Sequence, residues 1–167
     1  KREVLIDMAK QCTSCQAEIP VSARSCPKCS SDVGGALSHI RVLDLTGPGT
    51  QYGPRILGDL GADVVRVEPP EGDVGRHMKP FAGETPDPER SLTFLTFNLN
   101  KRGVMLDLAT MADQERFRSL ASAADILFED GTGWDLDSLG LGYESLKESN
   151  PGLIYTSISP FGLWGPY

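Results

Sequence analysis

The stretch HIRVLDLTGPGTQYGPRILGDLGADVVRVE, residues 39–68, decides the fold class of this chain. It opens with an almost continuous apolar run of strand length at 39–45, and it closes with a valine-rich strand predicted over 62–68. Between them, a glycine-rich turn leads into a short helix predicted around 54–60. Apolar runs without polar alternation are typical of strands that are buried on both faces of a parallel sheet. The stretch therefore predicts a strand, a helix and a second strand of an α/β protein.

The glycine-rich turn partly matches a dinucleotide-binding fingerprint. In the pattern GxGxxG the third glycine stands three residues after the second. Here Gly47, Gly49 and Gly53 give GxGxxxG, which is one residue too long. Glu68 follows about 20 residues further on, at a strand end where an acid that binds ribose is expected. A nicotinamide site and a plain turn between strand and helix both remain open on these residues.

The same alternation continues along the rest of the chain. Residues 68–91 hold five of the twelve prolines and are predicted to form a long loop of functional importance. Thr110 is expected to cap a helix that extends to about Ala123. The apolar face of that helix is predicted to consist of Phe117, Leu120, Ala121 and Ala124. The other predicted segments are an apolar stretch at 92–108, a strand at 125–130, a helix at 143–150 that Pro151 ends, and a strand at 153–159. This order predicts an open, mostly parallel sheet with right-handed crossovers, and ligands at the carboxyl ends of its strands.

Composition narrows the range of partners. The 167 residues are 40% hydrophobic and 23% charged, which allows one ordinary core and a small satellite module. The net charge of -7 and the sequence pI of about 4.8 argue against a nucleic-acid surface, which needs clustered cations. No apolar stretch approaches the roughly 20 residues of a membrane span, and no secretory leader is evident, so we expect a cytoplasmic protein without a membrane anchor.

All four cysteines lie near the start of the chain, in two CxxC pairs. Cys12 and Cys15 form the first pair, and Cys26 and Cys29 form the second. Two such pairs can supply the four thiolates of a structural zinc site, although two redox dithiols or disulfides are the alternative. The stretch resembles short zinc ribbons of the form CPxCxxEIPxxAxxCPxC, and that resemblance implies a contact module for a protein partner. We expect the zinc to be structural, because four thiolates leave no open position for water.

Several segments taken together resemble the family III CoA transferases, which include formyl-CoA transferase, carnitine CoA-transferases and α-methylacyl-CoA racemase. The matching segments keep their order and spacing from residue 39 to the end. They are IRVLDLT (40–46), LGDLGADVVRVEPPEGD (57–73), FNLNKRGVMLDL (97–108), SLGLGYESLKESNPGLIYTSISPFG (138–162) and GPY (165–167).

The resemblance implies a Rossmann-like domain that binds CoA and acts on an acyl-CoA and a carboxylic acid. It also implies a homodimer of interlocked subunits and an aspartate nucleophile that attacks the thioester to form a mixed anhydride. In the family this aspartate follows the segment that matches GPY, so we expect it beyond Tyr167 and expect the fragment alone to be inactive. The racemase members instead exchange the proton next to the thioester carbonyl, which makes a racemase a second alternative.

Six residues of this chain match positions that face CoA in the family. Thr50 and Gln51 match its CoA-facing turn, and Arg76 matches an arginine of the pattern GDxxR that would contact phosphate. Asp130 stands where an asparagine near the CoA diphosphate is common. The remaining two positions are Leu106 and Leu108 of the segment LDL.

The chain also departs from the family pattern. Ala109 and Ser138 replace basic residues, and Asp130 replaces an amide, which removes favourable charge pairing with a polyanion. The cations that remain near the expected groove are Arg66, Arg76, Lys101 and Arg102. These departures favour the alternative of a degenerate transferase domain, acting as a scaffold or regulatory subunit with the ribbon as its docking element. The predicted organisation is a tail at 1–11, a zinc ribbon at 12–29, a linker at 30–38 and the Rossmann-like domain at 39–167.

Overall fold

The computed structural model describes five stretches of the chain, namely 9–12, 15–20, 27–30, 35–83 and 85–162. The first two of these contain an antiparallel hairpin of strands β1 (Ala9–Gln11) and β2 (Glu18–Pro20). The side chains of Cys12 and Ile19 are buried against each other in a small cluster of their own. The described side chains of this cluster are too few to offset the entropy of ordering the hairpin, so a further source of stability is expected there.

The main body contains a five-stranded parallel sheet, which confirms the predicted α/β class. Its strands are β3 (Arg41–Leu45), β4 (Asp63–Glu68), β5 (Lys101–Met105), β6 (Ile126–Glu129) and β7 (Ile154–Ser157). They lie in the order β5-β4-β3-β6-β7, and all neighbouring pairs are parallel. Along the chain, β4 and β5 are added on one side of β3, and β6 and β7 are added on its other side. The crevice of such a sheet opens between the carboxyl ends of β3 and β6, where the direction reverses.

Among the described residues four α-helices connect the strands, and they are α1 (Tyr52–Asp59), α2 (Leu92–Phe97), α3 (Met111–Ser122) and α4 (Tyr143–Ser149). Two short 3-10 helices, Val74–His77 and Pro88–Arg90, lie in the loop between β4 and α2. The predicted cap of α3 is confirmed, because the Thr110 side chain accepts a hydrogen bond from the backbone N–H of Asp113. Helix α1 begins at Tyr52 rather than at residue 54. The sequence predicts only apolar character for 92–108, whereas the structure divides that stretch into α2 and β5, with Ser91 as the cap of α2.

The two faces of the sheet are covered by different helices. On one face Leu43 and Leu127 pack against Phe117 of α3 and Leu146 of α4, and all four side chains are almost completely buried. On the other face, Val42 and Val64 pack against Leu57 of α1. Burial of a large apolar side chain contributes about 1.5–3 kcal/mol, so the α3 side holds most of the stabilising core. Within the described parts of the chain, no helix has the length and apolarity needed to cross a membrane.

Candidate functional site

The crevice between β3 and β6 is bridged by a single carboxylate. Asp130, directly after β6, accepts hydrogen bonds from the backbone N–H of Gly47 at 2.8 Å and from the hydroxyl of Thr50. The turn after β3 must have a glycine at position 47, because a Cβ there would lie 2.5 Å from the Thr132 side chain. The glycine-rich turn and the loop after β6 are therefore closely fitted to each other at the switch point of the sheet.

This bridging carboxylate is ionised at neutral pH. Burial by itself would raise the pKa of Asp130, but hydrogen bonds from Thr50 and from the backbone N–H groups of Gly47 and Thr132 outweigh it and lower the pKa. The turn before α1 thus already has a negative charge hydrogen-bonded to it. A phosphate group of a ligand would have to approach the turn beside this charge.

Gln51, in the same turn, is directed into the protein. Its side chain is 1% exposed, and Nε2 donates to Asp73 Oδ2 at 2.9 Å and to the carbonyl oxygen of Thr46 at 3.3 Å. Its Oε1 accepts from Asn98 Nδ2 at 2.9 Å. The amide therefore ties the turn to the long loop and to the end of α2. The contact of Gln51 with CoA stays a prediction. The side-chain amide that would make this contact is already hydrogen-bonded inside the protein.

A buried ionic network lies directly beneath this turn, on the α1 face of the sheet. Asp44 is fully buried, and its carboxylate contacts Lys101 Nζ at 2.8 Å and Arg66 Nη1 at 3.1 Å. Arg66 also pairs with Asp73 through its other terminal nitrogen. Burial lowers the pKa of Lys101, and the neighbouring Asp44 opposes that effect. Arg66 and Lys101, two of the four cations expected near a phosphate groove, are thus internal ions that join β3, β4 and β5 on the α1 face of the sheet.

Arg76, in the long loop, is held by two acidic residues. Its Nε and Nη2 donate to the two oxygens of Glu68 at 2.6 and 2.9 Å, and Nη1 donates to Glu89 at 3.0 Å. Its guanidinium carbon also lies 3.9 Å from the centre of the Phe94 ring. The hydrogen bond with Glu68 raises the pKa of Arg76. Arg76 therefore organises the loop, and its contact with a phosphate stays a prediction.

The arrangement around Arg76 also bears on the nicotinamide alternative. Both Glu68 oxygens accept hydrogen bonds from Arg76, and Oε2 also accepts one from the backbone N–H of Asp73. Burial tends to raise the pKa of Glu68, but the hydrogen bond and the charge of Arg76, the backbone N–H of Asp73 and the charge of Arg66 together outweigh it, so the pKa is lowered. Glu68 is therefore an internal ion-pair partner, which removes the feature that had favoured a ribose-binding acid at this strand end.

A cleft of about 490 Å³ opens beside these groups, at the carboxyl ends of β4, β5 and β6. Its walls come from the loops that follow the three strands, with Pro69 and Glu71 after β4, Asp107 and Ala109 after β5, and Trp134 and Asp135 after β6. Among the described residues that line it there is no lysine, arginine or histidine. The cleft thus lies where ligands of α/β sheets bind, and its lining is acidic and partly apolar.

Comparison with known proteins assigns the part of the chain that contains this sheet to one family. A family model described as CoA-transferase family III matches residues 37–167. The chain belongs to this family. It is 42% identical over 134 residues to the succinyl-CoA:(R)-benzylsuccinate CoA-transferase subunit BbsE of Thauera aromatica, covering 80% of this chain and 33% of that protein. It is 43% identical over 132 residues to the succinyl-CoA:mesaconate CoA-transferase of Haloarcula hispanica, covering 77% of this chain and 33% of that protein.

A solved structure supports the same assignment at the level of the fold. A CaiB/BaiF family protein from Brucella suis matches with a TM-score of 0.72 and 39% identity, over 80% of this chain and 36% of that one. The chain therefore spans about a third of the length of the family III relatives that it matches.

The six residues that the sequence predicts to face CoA are only partly brought together. Thr50 and Asp130 share one hydrogen bond at the switch point. Leu106 and Leu108 are 2% and 0% exposed and belong to the main core, so their side chains pack inward on either side of the cleft residue Asp107. Only their backbone could face a ligand.

Two polar residues of this region were missed in the sequence, namely Asp73 and Asn98. Asp73 accepts hydrogen bonds from Gln51 and Arg66, and Asn98 joins Gln51 to Lys101. Nothing in local spacing distinguishes these residues from ordinary loop polar groups. Their importance comes from partners that are distant along the chain.

The cysteine cluster is a separate candidate site outside the family III domain. The sulfur atoms of Cys12, Cys15 and Cys29 all lie within 4.8 Å of one another, and Cys12 and Cys29 are 3.6 Å apart. Sulfur ligands at about 2.3 Å from a tetrahedral zinc would be separated by roughly 3.8 Å. The donor set therefore fits zinc. Cys26, the fourth predicted ligand, lies outside the described residues.

Proposed function

We propose that the full-length protein transfers CoA from an acyl-CoA to a carboxylic acid. The observation that carries this proposal is the family III match over residues 37–167, together with a sheet whose carboxyl edge forms the cleft described above. Two of the similar proteins are named for the transfer of CoA from succinyl-CoA to a second acid. This chain would supply the Rossmann-like part, which holds the carrier end of the thioester.

The proposed chemistry uses an aspartate beyond Tyr167 as nucleophile. Its carboxylate oxygen would form a bond to the acyl carbon while the carbon–sulfur bond breaks and the CoA thiolate leaves. The acyl group is then held as a mixed anhydride. The CoA thiolate would then attack the aspartyl carbonyl of the anhydride, which frees the donor acid and leaves an aspartyl-CoA thioester. The acceptor carboxylate would displace the CoA thiolate from this thioester to form a second anhydride. Attack of the thiolate on the acceptor's carbonyl carbon would give the new acyl-CoA and restore the aspartate.

Incubation of the full-length protein with succinyl-CoA and a panel of dicarboxylic acids tests this proposal. We expect new acyl-CoA species by mass spectrometry, and hydroxylamine should trap the anhydride as a hydroxamate and inactivate the protein only when the donor is present. The control is the same mixture without an acceptor, in which no new thioester should form. Absence of both transfer and trapping would refute the transferase proposal, whereas exchange of an α-proton without transfer would favour the racemase.

A scaffold or regulatory subunit is the second candidate, and one observation favours it. Three carboxylates and no cation line the cleft among the described residues. Full-length protein that binds neither CoA nor acyl-CoA would support this candidate. Transfer activity in the purified protein would exclude it.

We also propose a structural zinc site at Cys12, Cys15, Cys26 and Cys29, with the ribbon as a contact module. The cluster of three thiols is its support, and bound zinc would stabilise the hairpin without taking part in CoA transfer. One zinc per chain in the purified protein is expected, and loss of that zinc after replacement of the four cysteines by serine would connect it to this site.

We further propose that the full-length protein is a homodimer. Its support within the described chain is a row of apolar side chains along α1 and at its C-terminal cap, where Tyr52, Ile56 and Leu60 are 53%, 40% and 48% exposed. Contiguous exposed apolar side chains of this kind are typical of surfaces that are covered in an assembly. Light scattering on the full-length protein should give the mass of two chains, and a monomer would contradict the proposal.

A further inference from the structure

The cleft lies where Rossmann-like folds hold the nucleoside end of a ligand. In these folds the residues after the second strand contact the ribose, and an acid there hydrogen-bonds a free hydroxyl, whereas an arginine accommodates a ribose phosphate. Strand β4 is second in chain order within the parallel sheet, and Pro69 and Glu71 follow it on the cleft wall. Glu68, the last residue of β4, already forms an ion pair with Arg76. Glu71 is therefore the acid that the loop offers to the cleft.

The size and the apolar walls of the cleft suit a flat aromatic ring. Its volume of about 490 Å³ is within the usual range of small-molecule sites. Trp134 and Leu139 are half-buried on the wall that follows β6, and Pro69 lies on the wall that follows β4. Aromatic and apolar side chains give a nucleobase a stacking surface that requires no charge.

The charge of the cleft is the feature that selects between ligands. Glu71, Asp107 and Asp135 line it, and no lysine, arginine or histidine does so among the described residues. Two cations on β4 and in the loop that follows it are already paired, Arg66 with two buried aspartates and Arg76 with Glu68 and Glu89. A phosphate on the ribose would therefore meet like charges, and none of the described residues that line the cleft offers it a cation.

We propose that this cleft receives the nucleoside end of the acyl carrier and prefers a ribose without a phosphate, so that dephospho-CoA binds more tightly than CoA. The inference rests on the proposed CoA chemistry and adds a selectivity to it. The two ligands differ only in the 3′-phosphate. Any difference in their affinity therefore reports the environment of the ribose, because adenine, diphosphate and thiol are the same in both.

Calorimetric titration of the full-length protein with dephospho-CoA and with CoA tests this selectivity. At about 0.1 M salt we expect dephospho-CoA to bind about three- to tenfold more tightly, since exposed carboxylates repel a phosphate only moderately. At about 1 M salt, where charges are screened beyond roughly 3 Å, the ratio of the two dissociation constants should fall towards one. A site built on cations would show the opposite preference, and screening would weaken that preference.

Two matched variants place the effect in this cleft. Ala109→Lys adds a cation to the cleft wall and should reverse the preference, so that CoA binds more tightly than dephospho-CoA. Ser122→Lys adds the same charge at an exposed position at the end of α3, which precedes the amino end of β6. This control should leave the ratio of the two dissociation constants unchanged.

The outcomes separate this inference from the proposal on which it rests. Equal binding of the two ligands, or tighter binding of CoA, by the unmodified protein would overturn the inference and leave CoA transfer standing. An equal shift with both lysine variants would overturn it as well, because the effect would then come from net charge. Absence of binding by either ligand would overturn both proposals.

Discussion

Asp130 Oδ2 accepts a hydrogen bond from the backbone N–H of Gly47 at 2.8 Å, although the two residues are 83 positions apart in the chain. This contact joins the first turn of the Rossmann-like sheet to the loop after β6, on opposite sides of the switch point. The same oxygen accepts from Thr50, so one carboxylate sets the shape of the turn that opens onto the crevice. At the edge of the sheet where a ligand is expected, the Asp130 carboxylate thus joins two loops by hydrogen bonds and brings a negative charge.

Replacement of this carboxylate should lower stability in a pH-dependent way. We expect Asp130→Ala to reduce the free energy of unfolding by about 1–2 kcal/mol at pH 7, since hydrogen bonds to a charged but partly exposed group are lost. The pKa of Asp130 is lowered in the folded state, so its contribution is present above the usual value of about 3.9 and disappears as the pH falls through the folded pKa. Urea unfolding of both proteins between pH 7 and about pH 3 measures this.

The control for this prediction is Glu115→Ala, which removes an exposed carboxylate from α3. Its effect should be small and should not follow the same pH dependence. A difference between Asp130→Ala and the unmodified protein that persists undiminished at about pH 3 would contradict the assigned role of the ionised carboxylate.

Replacement of the buried Lys101 should lower the free energy of unfolding, because it leaves the negative charge of Asp44 with one fewer cation beside it. In Lys101→Met, the fully buried Asp44 keeps only Arg66 as its ion-pair partner, and we expect a loss of about 3 kcal/mol in the free energy of unfolding. The double variant Lys101→Met with Asp44→Asn should recover part of that loss, which denaturant unfolding of the four proteins in the cycle would measure.

Lys147→Met on α4 is the matched control, since that lysine side chain is 43% exposed and pairs only with the exposed Glu144 among the ion pairs of the described residues. Its unfolding curve should overlay that of the unmodified protein. Strict additivity of the two substitutions at Lys101 and Asp44 would argue that the pair is not energetically coupled.

The largest single loss of core packing is expected at Phe117. Its side chain is 0% exposed between the sheet and α4, so Phe117→Ala should destabilise the protein by about 3–5 kcal/mol. Met111→Ala in the same helix removes a side chain that is 80% exposed and should change stability by less than about 0.5 kcal/mol. Thermal and urea unfolding followed by circular dichroism compare the two variants, and similar losses in both would contradict the packing of α3.

Removal of metal should affect the cysteine hairpin without unfolding the parallel sheet. Among its described side chains, the hairpin buries only Cys12 and Ile19 in its own cluster, and a metal-coupled segment of this size loses its structure when the metal is removed. We expect a chelator to abolish amide protection around the hairpin in hydrogen exchange while the strands of the sheet stay protected. Cys12→Ser should reproduce that pattern without a chelator, and a protected hairpin in metal-free protein would contradict a zinc requirement.

The order of strands and helices follows from local features, and the sequence alone predicts it well. The apolar runs at 39–45 and 62–68 become β3 and β4, because an unalternating run of this length suits a strand that is covered on both faces. Thr110 caps α3 as predicted, since a cap bonds the backbone only three residues away. The division of 92–108 into α2 and β5 was missed because short apolar runs suit helix and strand equally.

The tertiary structure decided which charged side chains are available to a ligand at the carboxyl edge of the sheet. In the sequence, Arg66 and Lys101 are cations available to a phosphate, and Glu68 is an acid available to a ribose. The strand order brings Arg66 and Lys101 to Asp44, and the loop after β4 brings Arg76 to Glu68, so all of these charges are paired internally. The sequence by itself determined the α/β alternation, the caps and the grouping of the cysteines, because these depend on near neighbours along the chain. Only the folded sheet decided which charges face the cleft, because that depends on which strands lie side by side.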